Sequence, residues 1–131
     1  MPLRTPRPTD AELAILRILW ANGPSTVRQV YAALSVDREL GYTTALKLLQ
    51  VMTDKGLTTR EPLGVQQHVY RARYSEAQTQ RQLVKDLLER AFGGSMSQLV
   101  MQALASRKTS AEELKKIKQL LAGDDVEEHD A

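Results

Sequence analysis

Residues 41–73 read GYTTALKLLQVMTDKGLTTREPLGVQQHVYRAR, and the order of signals in this stretch decides the fold. Ala45, Leu48, Leu49 and Met52 recur at i, i+3, i+4 and i+7, the spacing of one apolar helical face. Thr43, Thr44, Lys47 and Gln50 fall on the other face, near the N-terminal end. Gly56 is placed to end the helix as a left-handed residue. Residues 57–61 and 68–73 then predict two strands, paired across a loop that holds Pro62 and Gly64. A polar-faced, singly positive helix followed directly by a basic hairpin is the layout of a winged helix-turn-helix. That arrangement sets the helix in a DNA major groove and the hairpin beside the backbone.

Upstream, two further helices are predicted. Thr9 and Glu12 form a capping box, so a helix runs from Asp10 to about Ala21. It turns Leu13, Leu16 and Trp20 inward, with Ile15 and Leu19 widening the stripe. Asn22-Gly23-Pro24 breaks it, and Ser25 or Thr26 caps the next helix, whose inner face is Val27, Val30, Tyr31 and Leu34. A polar stretch around Asp37-Arg38-Glu39 leads to the third helix. Before all of this, residues 1–8 carry three prolines and two arginines without apolar periodicity, as expected of a flexible arm.

Downstream the chain has no proline and reads as helix. Leu83, Val84, Leu87, Leu88 and Ala91 share a face of a helix over about residues 76–92, which Gly93-Gly94 ends. Ser95 caps a second helix with Met96, Leu99, Val100, Ala103 and Leu104 apolar. Ser110 opens a last one with Leu114, Ile117, Leu120 and Leu121 inward, stopped by Gly123. Three helices of this size enclose little apolar surface alone, since below ~70 residues a lone core is marginal. They are expected either to dimerise or to fold back on the N-terminal domain, and a reader with one helix per subunit favours dimerisation. The expected class is therefore mainly α with a small β wing: an arm (1–8), a winged-helix DNA-binding domain (9–74), a helical dimerisation domain (75–122) and an acidic tail (123–131).

Composition narrows the function. Residues 1–74 hold ten Lys/Arg against six Asp/Glu, or +4, while 75–131 hold eight against ten, or −2. A basic front half suits a polyanion, although +4 is ordinary for a domain of this size. With no cysteine, disulfides, thiolate metal sites and Cys nucleophiles are excluded. The apolar runs fall far short of the ~20 residues that span a bilayer, and no signal-peptide core opens the chain, so a cytoplasmic protein without membrane insertion is expected. No nucleophile–base pair, carboxylate dyad or phosphate-cradling glycine loop is visible. The reading is of a non-enzyme with no cofactor and no metal.

The segments TDAELAILRILWANGPSTVRQVYAAL, YTTALKLLQVMTDKGL and HVYRARYSEAQ, with GGSMSQLVMQAL and SAEELKKIKQLL behind them, resemble the penicillinase-repressor family of winged-helix repressors, the BlaI/MecI type. The resemblance covers nearly the whole chain. It implies a homodimeric repressor on a palindromic operator, controlled by a membrane-bound metalloprotease sensor that leads to cleavage in the C-terminal region. Copper-responsive relatives carry a Cys-x-Cys box that this cysteine-free chain lacks. Where antibiotic-resistance members have a scissile Asn-Phe pair, this chain has Gln102-Ala103, which marks the possible cleavage region.

The candidate DNA contacts follow. Thr43 and Thr44 cap the third helix or meet a phosphate or base edge. Lys47, one turn on, reaches a guanine edge or a phosphate, and Gln50 shares its face. Leu46 packs on a thymine methyl or at the rim, and Tyr42 stacks on the backbone or against the first helix. Ser25, Thr26 and Arg28 stand where a helix-turn-helix meets phosphate. Arg60 and Arg71 on the strands, with Gln66, Gln67 and His68 near the turn, are the wing candidates. The dimerisation candidates are Leu83, Leu87, Met96, Leu99, Val100, Leu104, Leu114, Ile117 and Leu121. Two alternatives stand beside this reading: a winged-helix regulator governed by a small-molecule ligand, and a winged helix used only as a protein scaffold.

Overall fold

The computed structural model describes residues 7–36, 39–106 and 110–123. Its elements are α1 (Asp10–Asn22), α2 (Val27–Leu34), α3 (Tyr42–Lys55), β1 (Thr58–Leu63), β2 (Gln67–Ala72), α4 (Glu76–Ala91), α5 (Met96–Ser106) and α6 (Ala111–Ala122). This is the mainly helical winged-helix layout with a two-stranded wing. Most of the expected arm, Asp37 and Arg38 of the expected polar turn, and the acidic tail with His129 lie outside the described residues. The chain divides into two compact units, residues 1–85 and 86–131, with the division falling inside α4.

Local chemistry sets the helix ends of the first unit. Thr9 Oγ1 accepts the Glu12 N–H at 3.2 Å and Glu12 Oε1 accepts the Thr9 N–H at 2.9 Å, which completes the capping box of α1. Thr26, rather than Ser25, caps α2, in a reciprocal box with Gln29. Gly56, at φ 86°, ends α3 in a Schellman pattern, with Leu57 N–H donating to Met52 O at 2.8 Å and Gly56 N–H to Thr53 O at 3.1 Å. A side chain there would have to take up the left-handed backbone.

The hairpin differs in detail from the expected strands. Thr58 pairs with Ala72 and the ladder runs to Leu63 opposite Gln67, so only residues 64–66 form the turn. Pro62 sits inside β1 opposite His68, not in the loop. A proline is tolerated in a two-stranded ribbon because its nitrogen can face the open edge, where no N–H is needed. The opposite edge of β2 is tied down. Ser25 N–H donates to Tyr70 O at 3.0 Å and Tyr70 N–H to Ser25 O at 2.8 Å, a one-residue bridge that fastens the α1–α2 turn to the wing.

The core gathers Ile15, Leu16 and Leu19 from α1, Val27, Val30 and Leu34 from α2, and Ala45, Leu49 and Met52 from α3, closed by Leu57 and Tyr70. The inward face of α1 is turned from the expected one. Ile15 and Leu19 are buried, whereas Leu13 and Trp20 are only partly so. Trp20 instead donates its indole N–H to Tyr74 O at 3.0 Å, tying α1 to the chain after the wing. Tyr31 and Leu48, expected inside, are likewise half-buried, because the centre of the three-helix packing lies along Val30 and Leu49.

Past the wing, Ser75 and Gln78 form another capping box at the start of α4. The covered stripe of α4 includes Thr79 and Asp86, while Val84 and Leu87 of the expected apolar face are exposed. Ser95 Oγ accepts the Gln98 N–H at 3.2 Å and Ser110 Oγ the Glu113 N–H at 3.0 Å, so both serines cap as expected. Neither α5 nor α6 has a buried residue.

Candidate nucleic-acid interface

Strand alternation sorts the wing residues. Residues opposite each other share a face, so the Arg60–Tyr70 and Pro62–His68 pairs lie on one side and Thr59–Arg71 and Glu61–Val69 on the other. Because Tyr70 is buried against the helices, Arg60 and His68 are on the helix-facing side. There they meet α2 and α3 in an open groove of about 370 Å³. Its lining takes Thr26 and Arg28 from the start of α2, Tyr42, Leu46 and Gln50 from α3, and Arg60, Gln66, Gln67 and His68 from the hairpin. Nine of the fourteen candidate contacts are thereby brought onto one concave surface. Val27 and Tyr70 complete it as the floor. Among the described residues no carboxylate lines this groove, and its two arginines and three glutamines offer donors for phosphate oxygens and base edges.

Thr43, Thr44 and Lys47 lie exposed on α3. Gly41 offers no side-chain cap to α3, so a threonine cap is not what these residues supply. Two candidates sit elsewhere. Ser25 is buried, its hydroxyl donating to Gly23 O at 2.8 Å, because it is the bridge residue between turn and wing. Arg71 is on the far face of the hairpin, where its Nε donates to Glu61 Oε1 at 2.7 Å across the strands.

Two features escaped the sequence reading. Tyr42 and Tyr31 form a T-shaped ring pair, centroids 5.7 Å apart and planes at 74°, and the Arg28 guanidinium carbon lies 5.3 Å from the Tyr42 ring centre. The i, i+3 pair Arg28 and Tyr31 places both on one face of α2, but only folding brings Tyr42 to it. The second feature is at the far end of α3. Lys55 Nζ donates to both oxygens of the buried Glu12, at 2.8 and 3.0 Å, and so pins the C-terminal end of α3 to α1. Burial by itself would raise the Glu12 carboxyl. The Lys55 ammonium and the Thr9 hydrogen bonds outweigh it and hold that carboxyl below its ordinary value.

The dimerisation candidates fall in two groups. Leu83, Leu99, Val100, Leu114 and Ile117 are half-buried, while Leu87, Met96, Leu104 and Leu121 are exposed. Gln102 and Ala103 are exposed on α5. Among the described residues no three His, Cys, Asp or Glu side chains gather as a metal site, and no helix is long and apolar enough to cross a membrane.

The sequence pattern described as penicillinase repressor matches residues 8–123. The transcriptional regulator BlaI of Mycobacterium tuberculosis, in the CDC 1551 / Oshkosh and the ATCC 25618 / H37Rv strains, is 47% identical over 49 residues. That aligned stretch is 37% of this chain and 36% of the relative's own length. With a groove lined by arginines and glutamines beside a wing, and a family pattern running from the start of α1 past the end of α6, the chain belongs to the penicillinase repressor family.

Proposed function

We propose that this chain is a DNA-binding transcriptional repressor of the cytoplasm, a regulator and not an enzyme. It lays α3 in the major groove of a palindromic operator with the β1–β2 wing beside the backbone. The observation that carries this reading is the groove itself. Polar and cationic side chains from α2, α3 and the wing converge on one concave surface, with no acid among the described residues that line it. Lys47, exposed on α3, extends the surface toward the groove floor of the DNA. Its test is Lys47→Ala against Lys115→Ala in binding titrations at several salt concentrations. Each lost phosphate contact lowers the log–log salt slope by about 0.9, or about 2 for a dimer that presents the residue twice. A base contact instead relaxes sequence preference at ~1–3 kcal/mol per half-site. Equal behaviour of the two variants would remove Lys47 from the interface.

The repressor acts as a homodimer joined through residues 75–122. The support is the apolar surface that α5 and α6 leave in water within one chain, including Met96, Met101 and Leu121. Release from DNA follows a cut in α5 near Gln102-Ala103 by a membrane-bound metalloprotease sensor, a reading that rests on family membership and on the exposure of that pair. A protease site engineered between Ser97 and Ser106 and cleaved on labelled operator tests it. Cleaved protein that stays dimeric and bound would rule out induction at this helix.

A second reading, control by a small ligand, draws on a different hollow. An open cavity of about 420 Å³ lies between α1 and α2, lined by Ala14, Ile18, Ala33 and Leu34 with Arg17 and Asn22 at its polar side. Its size is that of a small-molecule site. Filling it with Ala33→Leu leaves repression intact under the cleavage reading and abolishes induction under this one.

A further inference from the structure

We propose that Tyr42 is a stacking platform which holds the Arg28 guanidinium ready for a DNA phosphate, and that Tyr31 is the positioning residue that sets the platform. The inference rests on the DNA-binding reading above and deepens it. Arg28 and Tyr42 both line the groove, and the guanidinium carbon of Arg28 lies 5.3 Å from the centre of the Tyr42 ring. Tyr42 in turn forms a T-shaped pair with Tyr31, centroids 5.7 Å apart and planes at 74°, the geometry in which ring edge and ring face attract. Tyr31 is half-buried and does not line the groove, so it acts through Tyr42 and not on the ligand.

The chemistry explains why an arginine stands there. Among the described residues Arg28 has no ion-pair partner, and its side chain is exposed. A long flexible side chain in water loses rotamer freedom when it grips a phosphate, and that loss subtracts from affinity. A guanidinium held over an aromatic face spends none of its N–H donors on the contact, so all five stay available. The stack also spans the helix–turn–helix, joining the start of α2 to the first residue of α3 outside the apolar core. It therefore fixes the separation between two contact points on the DNA backbone.

Lysine in place of Arg28 keeps the charge but presents a compact ammonium without the planar fork. The test measures binding of the full chain to a fluorescent double-stranded oligonucleotide of mixed sequence at low salt, where backbone contacts dominate. Arg28→Lys is expected to weaken binding roughly 2- to 5-fold per subunit, the range of an exposed cation–π contact. Tyr42→Leu should weaken it similarly, and Arg28→Lys should then add little in the Tyr42→Leu background. Tyr31→Leu should give a smaller loss with an unchanged salt slope, because no phosphate contact is removed, and Tyr31→Phe should restore wild-type binding. Thermal unfolding of each variant separates these effects from a lost fold, and the surface change Arg28→Lys leaves the core intact in any case. Wild-type-like binding by Arg28→Lys, or fully additive losses with Tyr42→Leu, would overturn the platform alone. Wild-type protein that fails to bind the duplex at low salt would overturn the DNA-binding reading and the platform with it.

Discussion

The two ends of this chain carry the same helical periodicity and come to opposite fates. α1–α3 and the hairpin close on eleven buried apolar side chains, from Ile15 to Tyr70. α5 and α6 bury none, and Met101, Leu120 and Leu121 stand 64%, 61% and 69% exposed. An apolar stripe reports that a face must be covered, not what covers it. The first region supplies its own cover, with side chains of α1, α2, α3 and β2 meeting in one core. The second has only two short helices and the end of α4, and on the proposed reading a second copy of the chain completes it. Its stability then depends on protomer concentration.

The sharpest contrast is between core and stripe. Leu49→Ala, at a position with no exposed surface, should cost about 3 kcal/mol in urea unfolding by losing transfer energy and leaving a cavity. That cost should not vary with protein concentration. Next comes the double change Leu87→Ser and Leu121→Ser, which should leave the winged-helix region folded. Each buried leucine in a dimer interface is worth ~1.5–3 kcal/mol, so sedimentation should show the dimer dissociating at concentrations where the wild type holds. A double variant as dimeric as the wild type would move the interface elsewhere.

A smaller effect tests how α3 is held. Lys55→Met leaves the Glu12 carboxylate buried beside Thr9 alone, at a cost of about 2 kcal/mol near neutral pH. The sign of its pH dependence follows from the depressed Glu12 carboxyl. A group whose folded pKa lies below its unfolded value contributes stability above the unfolded pKa and loses it as pH falls through the folded one. Wild-type protein should therefore lose this contribution in the acid range, and the gap between wild type and Lys55→Met should close there. A gap independent of pH would mean that Lys55 acts by packing alone. The smallest expected effect is at Lys115, exposed on α6: Lys115→Ala should change stability by less than ~0.5 kcal/mol.

The caps show how much was legible and why. Thr9, Ser95, Ser110 and Gly56 could be assigned from neighbours three or four residues away, since a cap is a local hydrogen-bond problem with few solutions. The spacing of Ala45, Leu49 and Met52 was legible for a similar reason, one helix turn being a short-range rule. Pro62 was read as a loop residue because proline disfavours strands, and the open edge that admits it exists only once β1 and β2 have paired. Ser25 looked like a surface contact beside a helix start. Its backbone bridge to Tyr70, forty-five positions away, was invisible to any local rule.

Sequence alone determined which residue types stand on the polar face of α3 and on the wing, and so the kind of ligand the groove suits. Tertiary structure decided which of them meet. It set Arg60 and His68 toward the helices and Arg71 away from them, because β2 had to bury Tyr70 and alternation assigned every other residue its side. It also brought Tyr42 to Arg28 and Tyr31, and Lys55 to Glu12 across forty-three positions. Such contacts form only after the apolar core has fixed the distance between helices. A one-dimensional pattern can state that a face is apolar or charged, but the identity of its neighbour is a property of the packing.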